Sequence, residues 1–475
     1  MGKEITINPV TRIEGHAKVT IFLDENGAAD DARFQVTFFR GFEKFCEGRP
    51  YYEMPSITSR ACGICPVSHL IASAKACDRL AAVSIPRTAE MLRRVMHAGQ
   101  IIQSHALSFF HLSSPDLLLG MDSDPARRNV FTLMETHPDL ARKGILLRKF
   151  GQELIEKLAG KRIHSSDWIV PGGVRWPLDG EKRDYLLSES SKALENIQET
   201  LSIFKGLLPD LDEGTRTLGD IPSNYMGLQT SDGGLEHYDG TLKLIDPAGE
   251  VIAEDMDPEK YHEYIGEAVE PWSYMKFPYY RPMGYPDGSY RVGPQARLNL
   301  SSHCGTPEAD EELKEFKELG EDGIVQPIFH SHYARLIEIL GCIEQVRDLL
   351  EDEEILSDRV WARAEVNSPE GVGVAEAPRG TLIHHYKVDE EGMTTWVNMI
   401  IATEHCNTDF NRAVTQVARR YLRGDRLNEG LLNRVEAVVR AFDPCLSCST
   451  HTLGSNGLDV QLIDNQGKLI SRELL

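Results

Sequence analysis

Arg60-Ala61-Cys62-Gly63-Ile64-Cys65-Pro66-Val67-Ser68-His69 and Asp443-Pro444-Cys445-Leu446-Ser447-Cys448-Ser449-Thr450-His451 stand near opposite ends of the chain and share one pattern. Each is a C-x-x-C with a histidine a few residues on. Together they offer four thiolates and two imidazoles. Soft sulfur donors with imidazole nearby suit zinc, iron or nickel far better than magnesium or calcium. If the two ends meet in the fold, they hold a metal centre, and nearly the whole chain must be in place before the thiolates converge.

The bulk properties are those of a soluble globular protein. At 475 residues the chain can bury a large core, as two or three domains or as one large unit. Hydrophobic content of 41% and charged content of 26% are ordinary, and mean hydropathy is −0.32. No apolar run reaches the length of a bilayer span. Met1-Gly2-Lys3-Glu4-Ile5 lacks the basic-then-apolar pattern of a secretory signal, so a cytoplasmic location is expected. The formal net charge of −22 argues against a nucleic-acid role, which needs a basic face. The cysteines number nine, an odd count in a chain read as cytosolic, so metal or redox chemistry is favoured over a disulfide framework. Cys77 and Cys342 read as small buried hydrophobes.

Periodicity predicts an α+β chain that is predominantly helical. Glu4–Ile7, Ala17–Leu23 and Arg33–Phe39 alternate like strands, with a turn at Asp24-Glu25-Asn26-Gly27. Arg40-Gly41-Phe42-Glu43-Lys44-Phe45 follows at the end of the last of them. Helical spacing then covers His69–Leu80, Thr88–His111, Asp139–Gly160, Glu181–Leu207, Glu308–Leu319, His330–Leu350, Asn411–Leu422 and Asn428–Arg440. Thr241–Ile252 reads as a hairpin, Trp272–Pro294 as an ordered irregular loop, and Gly371–Ile401 as strand-like. Residues 452–475 carry a weak hairpin pattern around Asp464-Asn465-Gln466-Gly467. There are no repeats and no low-complexity linker, so 1–475 is expected to be one intertwined unit.

Several stretches are ambiguous when taken alone. Two C-x-x-C pairs could form a closed structural zinc site, although zinc ribbons usually close over a much shorter interval. Thr11-Arg12-Ile13-Glu14-Gly15-His16 could be a surface salt bridge. Gly371–Gly380 is glycine-rich, but it lacks the strand–G-x-G-x-x-G–helix context and the P-loop lysine, so nucleotide binding is rejected there. His111, His164 and His385 read as ordinary core or surface histidines.

Taken together, five motifs decide among these readings. Arg-Ile-Glu-Gly-His at 12–16, Arg-Gly-Phe-Glu at 40–43, R-x-C-G-x-C-x-x-x-H at 60–69, Glu-Ala-Pro-Arg-Gly at 376–380 and D-P-C-x-x-C-x-x-H at 443–451 occur in one order. In this respect the sequence resembles the large, catalytic subunit of [NiFe] hydrogenases along its whole length, and is most similar to the soluble cytoplasmic NAD(P)-linked group. The resemblance implies that family's fold, a central bundle of long helices with small β-sheets from the N-terminal, middle and C-terminal segments. It also implies reversible oxidation of H2 to two protons and two electrons.

The resemblance further assigns roles. Cys62, Cys65, Cys445 and Cys448 would bind nickel, with Cys65 and Cys448 bridging to an iron that carries CO and two cyanides. Cys445, a terminal thiolate, would be the first proton acceptor and Glu14 the proton-relay carboxylate. A partly desolvated acid near a metal can have its pKa raised into a useful range. Arg379 would sit over the metals, oriented by Asp443. His69 would bond a bridging thiolate, and Thr403 with the Ala402 backbone would bond a cyanide; the family often has proline at the latter position. Glu43, the carbonyl of Met399 and His451 match a magnesium site, and oxygen donors with water suit that ion. Residues 452–475 match a maturation propeptide removed between His451 and Thr452 by a dedicated endopeptidase after nickel insertion, so this sequence would be that of the precursor.

No further cysteine set could carry a chain of clusters. The resemblance therefore implies a small iron–sulfur subunit, with a flavin-bearing diaphorase module that reduces NAD(P), and nickel-insertion proteins during maturation. Iron–sulfur clusters and flavin would reside in those partners only. Alternatives with the same site are coupling to ferredoxin, F420 or an electron-bifurcating module, or a non-catalytic H2 sensor. A relative like the quinone-site subunit of respiratory complex I is disfavoured, because that lineage has lost the cysteines.

Overall fold

The computed structural model describes residues 4–38, 41–165, 167–422, 428–450, 459–463 and 469–474. Strands β1 (Glu4–Ile7), β2 (Ala17–Leu23) and β3 (Ala29–Val36) form an antiparallel sheet in sequence order. Helix α1 (Phe42–Cys46) follows, and α2 (Pro66–Leu80) begins at the first cysteine pair. Four long helices then build the centre: α3 (Arg87–Ala106), α4 (Pro138–Ala159), α5 (Gly180–Leu207) and, after the middle segment, α7 (Ser331–Glu351). The middle segment carries β4 (Asn224–Gln229), β5 (Thr241–Ile245), β6 (Val251–Met256), β7 (Tyr290–Arg291) and α6 (Pro294–Leu300). Beyond α7 lie β8 (Glu370–Ala377), β9 (Gly380–Val388), β10 (Thr394–Ile400), α8 (Asn407–Tyr421), α9 (Glu429–Phe442) and an antiparallel pair, β11 (Asp459–Ile463) with β12 (Leu469–Leu474).

The four long helices close a ring of contacts. α3 packs on α4 and α7, and α5 packs on the same two. A glycine from each side lets α3 and α4 approach closely: a Cβ on Gly151 would lie 2.5 Å from the Gly99 carbonyl oxygen. The sheets dress this bundle. β3 packs on α8, where Asn411 and Thr415 side chains accept from the Phe34 and Ala32 N–H groups at 2.8 and 3.0 Å. β8, β9 and β10 form an antiparallel sheet whose first strand covers α2. One hydrophobic cluster runs from Val10 to Cys448, so the ends of the chain share a core.

Several expectations on boundaries shift. α2 starts three residues earlier than His69, because Pro66 fits the first helical position, where no N–H is needed. The helix expected over Thr88–His111 is α-helical only to Ala106 and continues as a wider π-turn over Leu107–Ser113. β3 begins at Ala29 rather than Arg33, and Phe39 lies outside the described residues. Glu43, in the stretch that follows β3, lies on helix α1. The stretch expected to be an irregular loop, 272–294, contains a strand at Phe277–Tyr280 and β7, which pairs parallel with β4. No helix among the described residues is long and apolar enough to cross a membrane.

Contact between α2 and β8 depends on two glycines. A Cβ on Gly373 would lie 2.0 Å from the Ala72 carbonyl oxygen and 2.4 Å from the Ala76 nitrogen, both backbone atoms that cannot rotate away. Gly373→Ala is therefore expected to destabilise the protein by about 2–3 kcal/mol, a cost typical of overpacking. Thermal unfolding checks this, and an unchanged Tm would show that α2 can move off the sheet freely.

Candidate metal centre

The two cysteine pairs meet. The Sγ atoms of Cys62, Cys65, Cys445 and Cys448 all lie within 4.8 Å of one another, and all four residues are buried. Cys62 faces Cys445 at 3.4 Å, and Cys65 faces Cys448 at 3.5 Å. The first pair is held at the start of α2, with Cys65 as the residue capping it. The second follows α9, which ends at Asp443 in a left-handed conformation (φ 59). Asp is among the few side chains that adopt this geometry readily, and it turns the chain sharply toward Cys445. Burial pushes the Cys448 thiol well above its ordinary value, with the Cys445 thiol adding to the effect. Burial also opposes ionisation of Cys62, but hydrogen bonds from the other three thiols outweigh it and hold Cys62 well below. Four converging sulfurs sealed from solvent form a donor set for a soft or borderline cation.

Glu14 reaches this set from the N-terminal loop. Residues 14 and 445 form a parallel bridge, and the Leu446 N–H donates to the Glu14 carbonyl at 3.2 Å. The Ser447 N–H donates to Glu14 Oε2 at 3.0 Å. Gly15 makes the approach possible: it holds φ 86, and a Cβ there would lie 2.7 Å from that of Leu446. Burial, followed by the Cys445 thiol, raises the Glu14 carboxyl to about 7, although the Ser447 hydrogen bond pulls the other way.

Arg379 arrives on the two-residue turn between β8 and β9. Its Nε donates to the Asp443 carbonyl at 2.5 Å, its Nη2 to Asp443 Oδ1 at 3.0 Å and its Nη1 to Ser104 Oγ at 3.1 Å. Burial works against its charge, but Asp443 and the nearby thiols outweigh this and keep it protonated. The turn is braced from below. Arg297 donates to Glu376 Oε2 at 2.8 Å and to the Ala377 carbonyl at 3.0 Å, while Glu338 receives both of its other nitrogens at 2.6 Å. The glycine-rich stretch is thus buried antiparallel sheet, which agrees with the rejection of a phosphate loop.

Nearby groups hold the shell. His69 Nδ1 lies 3.1 Å from His384 Nε2, and its own Nε2 is buried with no hydrogen-bond partner among the described residues. The Cys445 N–H donates to Thr403 Oγ1 at 3.1 Å, so this hydroxyl positions the cysteine directly, and Ala402 opens the short helix that contains it. Glu43 accepts from the Met399 N–H at 2.8 Å, and burial raises its carboxyl. Lys276 lies 4.0 Å from Glu43 and 2.8 Å from Glu267. Glu404 is buried nearby, and its Oε2 has no hydrogen-bond partner among the described residues. Sequence reasoning does not single out Ser104, Lys276, Glu267 or Glu404. Only Glu404 leaves a signal, an acid following the apolar run Ile400-Ile401-Ala402. His451, Thr452 and Arg40 lie outside the described residues. His385 is engaged elsewhere, between Tyr261 and Glu370.

Four buried thiols, a carboxyl and a guanidinium converging from both ends of the chain define a metal-dependent redox site on a helical scaffold. Sequence comparison identifies its class. The family described as nickel-dependent hydrogenase matches residues 40–126 and 244–451, and one described as HoxL-like matches 4–39. The chain belongs to the nickel-dependent hydrogenases, as their large, catalytic subunit. It is 41% identical to the NAD-reducing hydrogenase HoxS subunit beta of Cupriavidus necator, over 99% of each chain. It is 45% identical to one chain of the F420-non-reducing hydrogenase vhu of Methanocaldococcus jannaschii, over 88% of this chain and 99% of that one. The crystal structure of an NAD+-reducing [NiFe]-hydrogenase in the H2-reduced state matches with a TM-score of 0.92 and 46% identity, over 94% of this chain and 99% of that one. The Ni-Fe-Se hydrogenase of D. vulgaris Hildenborough, at 24% identity and a TM-score of 0.78, shares the fold over 95% of this chain and 100% of that one.

Cys62→Ser or Cys448→Ser is expected to abolish nickel loading while the chain still folds. Elemental analysis of the purified complex checks this; full nickel occupancy in either variant would contradict the four-thiolate site.

Proposed function

We propose that this chain is the hydrogen-activating component of a multi-subunit, cytoplasmic [NiFe] hydrogenase that passes electrons to an iron–sulfur small subunit, then through a flavin-bearing diaphorase to NAD(P). The observation that carries this reading is the convergence of four buried thiol sulfurs within 4.8 Å of one another. The family relationship supplies the identity of the metal, and the full-length similarity to the NAD-reducing relative supports the acceptor. When bound, the nickel–iron centre supplies heterolytic splitting of H2. Cys62, Cys65, Cys445 and Cys448 would hold the nickel, and Cys65 and Cys448, whose sulfurs lie 3.5 Å apart, would also hold an iron with CO and cyanide ligands. Glu43, with the Met399 backbone and His451, is assigned to a magnesium ion.

The remaining steps belong to protein groups. Arg379, clamped by Asp443 and Ser104, presents a fixed positive charge beside the thiols and needs no reorganisation as charge develops. Cys445 Sγ takes the first proton, and the Glu14 carboxyl, set beside that residue by the 14–445 backbone bridge, receives it. A carboxyl near 7 is matched to both accepting and releasing a proton at neutral pH. Residues 452–475 are assigned as the tail removed after His451 during maturation, and the intact mass of this chain in the active complex tests this.

Glu14→Gln is expected to block exchange between D2 and solvent protons while nickel and iron remain bound. Normal exchange would remove Glu14 from the relay. The 45% identity to an F420-non-reducing hydrogenase, whose name gives no NAD acceptor, leaves a second reading in which the same site feeds ferredoxin or an electron-bifurcating module. H2-driven NADH formation by the native complex decides between the two: activity with a viologen dye but no NADH would favour the second.

A further inference from the structure

Asp116 sits in the short helix Ser114–Leu119, just past the π-turn at the end of α3. It is 4% exposed, and a cage of positive groups surrounds it. Arg12 Nη2 donates to Oδ1 at 2.5 Å and Arg440 Nε to Oδ2 at 2.9 Å. Asn433 Nδ2 donates to Oδ1 at 3.1 Å, and Arg128 Nε lies 3.5 Å from the same oxygen.

Two of these arginines belong to the two segments that meet at the site. Arg12 precedes Glu14 by two residues, and Arg440 is in the last turn of α9, whose cap Asp443 leads into Cys445. The segments are also tied directly. Arg440 Nη1 donates to the Thr11 carbonyl at 3.1 Å, and the Thr11 N–H donates to Glu436 Oε1 at 2.6 Å. Arg12 Nη1 donates to the Leu112 carbonyl in the π-turn at 2.7 Å. Arg12 itself is left-handed, at φ 56, so the chain bends where it is held. Removing the shared carboxylate would leave Arg440, 2% exposed, beside two other guanidinium groups, and buried like charges repel strongly.

We propose that Asp116 is a positioning residue for Glu14: by sharing one carboxylate between Arg12 and Arg440, it locks segment 11–14 to the end of α9 and sets the Glu14 carboxyl against Cys445. This rests on the reading of Glu14 as the proton carrier. A misplacement of about 1 Å in a reacting group can cost up to about a hundredfold in rate, so the effect falls on turnover rather than on H2 binding.

The test uses the complete complex carrying Asp116→Asn, which keeps the shape and removes the charge. Nickel and iron are expected at wild-type stoichiometry with KM for H2 unchanged, while kcat and D2/solvent exchange fall together by about tenfold or more. Arg12→Lys, which retains a charged donor, should recover part of the rate lost in Arg12→Gln. A metal-loaded Asp116→Asn enzyme that exchanges at the wild-type rate overturns the inference. So does nickel loss in parallel with activity, because Asp116 would then act in closing the thiol site. If Asp116→Asn does not accumulate, Arg12→Gln, at a side chain 18% exposed, carries the same expectations and the same overturning results. Glu14→Gln, run in parallel, separates the two claims. Exchange that survives it removes the reading of Glu14 itself; exchange blocked there but intact in Asp116→Asn removes Asp116 alone.

Discussion

Residues 14–15 lie against residues 445–447, backbone on backbone, and the site depends on that contact. It joins parts of the chain more than four hundred residues apart, so closing it is entropically costly, although the cost grows only slowly with loop length. The contact alone could not hold the ends together. The single hydrophobic cluster that includes Val10, Cys62 and Cys448 does so, and Gly15 then removes the one Cβ that would keep the strands apart. The four thiols therefore converge only when the bundle, the N-terminal sheet and α9 are all packed. A fragment containing either C-x-x-C would hold half a site.

Burial gives this contact its chemistry. Charges in a dry interior persist only when paired and hydrogen-bonded. Arg379 meets that condition through Asp443 and Ser104, and the turn beneath it meets it through Arg297, Glu338 and Glu376. Each pair is also a strut. Arg297 joins α6 to α7 and to the β8–β9 turn, so the guanidinium of Arg379 is aimed by the bundle rather than by its own flexible stem. Glu14 is treated oppositely. It has a backbone donor and a thiol for company but, among the described residues, no cation partner, and its carboxyl rises to about 7. Burial pushes Glu338 upward too, yet the Arg297 guanidinium outweighs it and holds that carboxyl well below its ordinary value. One buried acid stays charged and the other sits near its midpoint because one has an arginine partner and the other, among the described residues, does not.

The sequence makes some of this visible and conceals the rest, for physical reasons. Long amphipathic helices and the β8–β10 meander are local patterns, and α4, α5 and α7 appear within a residue of their expected ends. β4 is concealed because it is buried on both faces and reaches its antiparallel neighbour β5 through the long loop 230–240 rather than a tight turn, so neither alternation nor a hairpin turn marks it. The cysteine pairs, Glu14 and Arg379 are legible through motifs. Ser104 is not, because a serine inside a helical run has no signature until Arg379 reaches it. Lys276 and Glu267 share that difficulty, since what makes them functional is proximity to Glu43, which only the fold creates.

Local irregularity is present where the chain segments must be aimed. Arg12 and Asp443 hold positive φ without being glycine, and Gly15 holds it as well. The long helix α3 gives way to a π-turn at Leu107, and π-turns recur at functional sites because they break the regular ladder. Here the turn has a definite use: its Leu112 carbonyl receives Arg12. A regular helix through 107–113 would rotate Asp116 and every residue after it away from their present partners, since one π-turn shifts the following register by about one residue. The strain of the left-handed Arg12 is of the order of 1–3 kcal/mol, and Asp443 adopts the same geometry at lower cost. It persists because Asp116 and Arg379 fix those residues from the side-chain end. The geometry at Glu14 and Cys445 is thus set less by the residues that carry the chemistry than by a helix that widens at the right place to meet them.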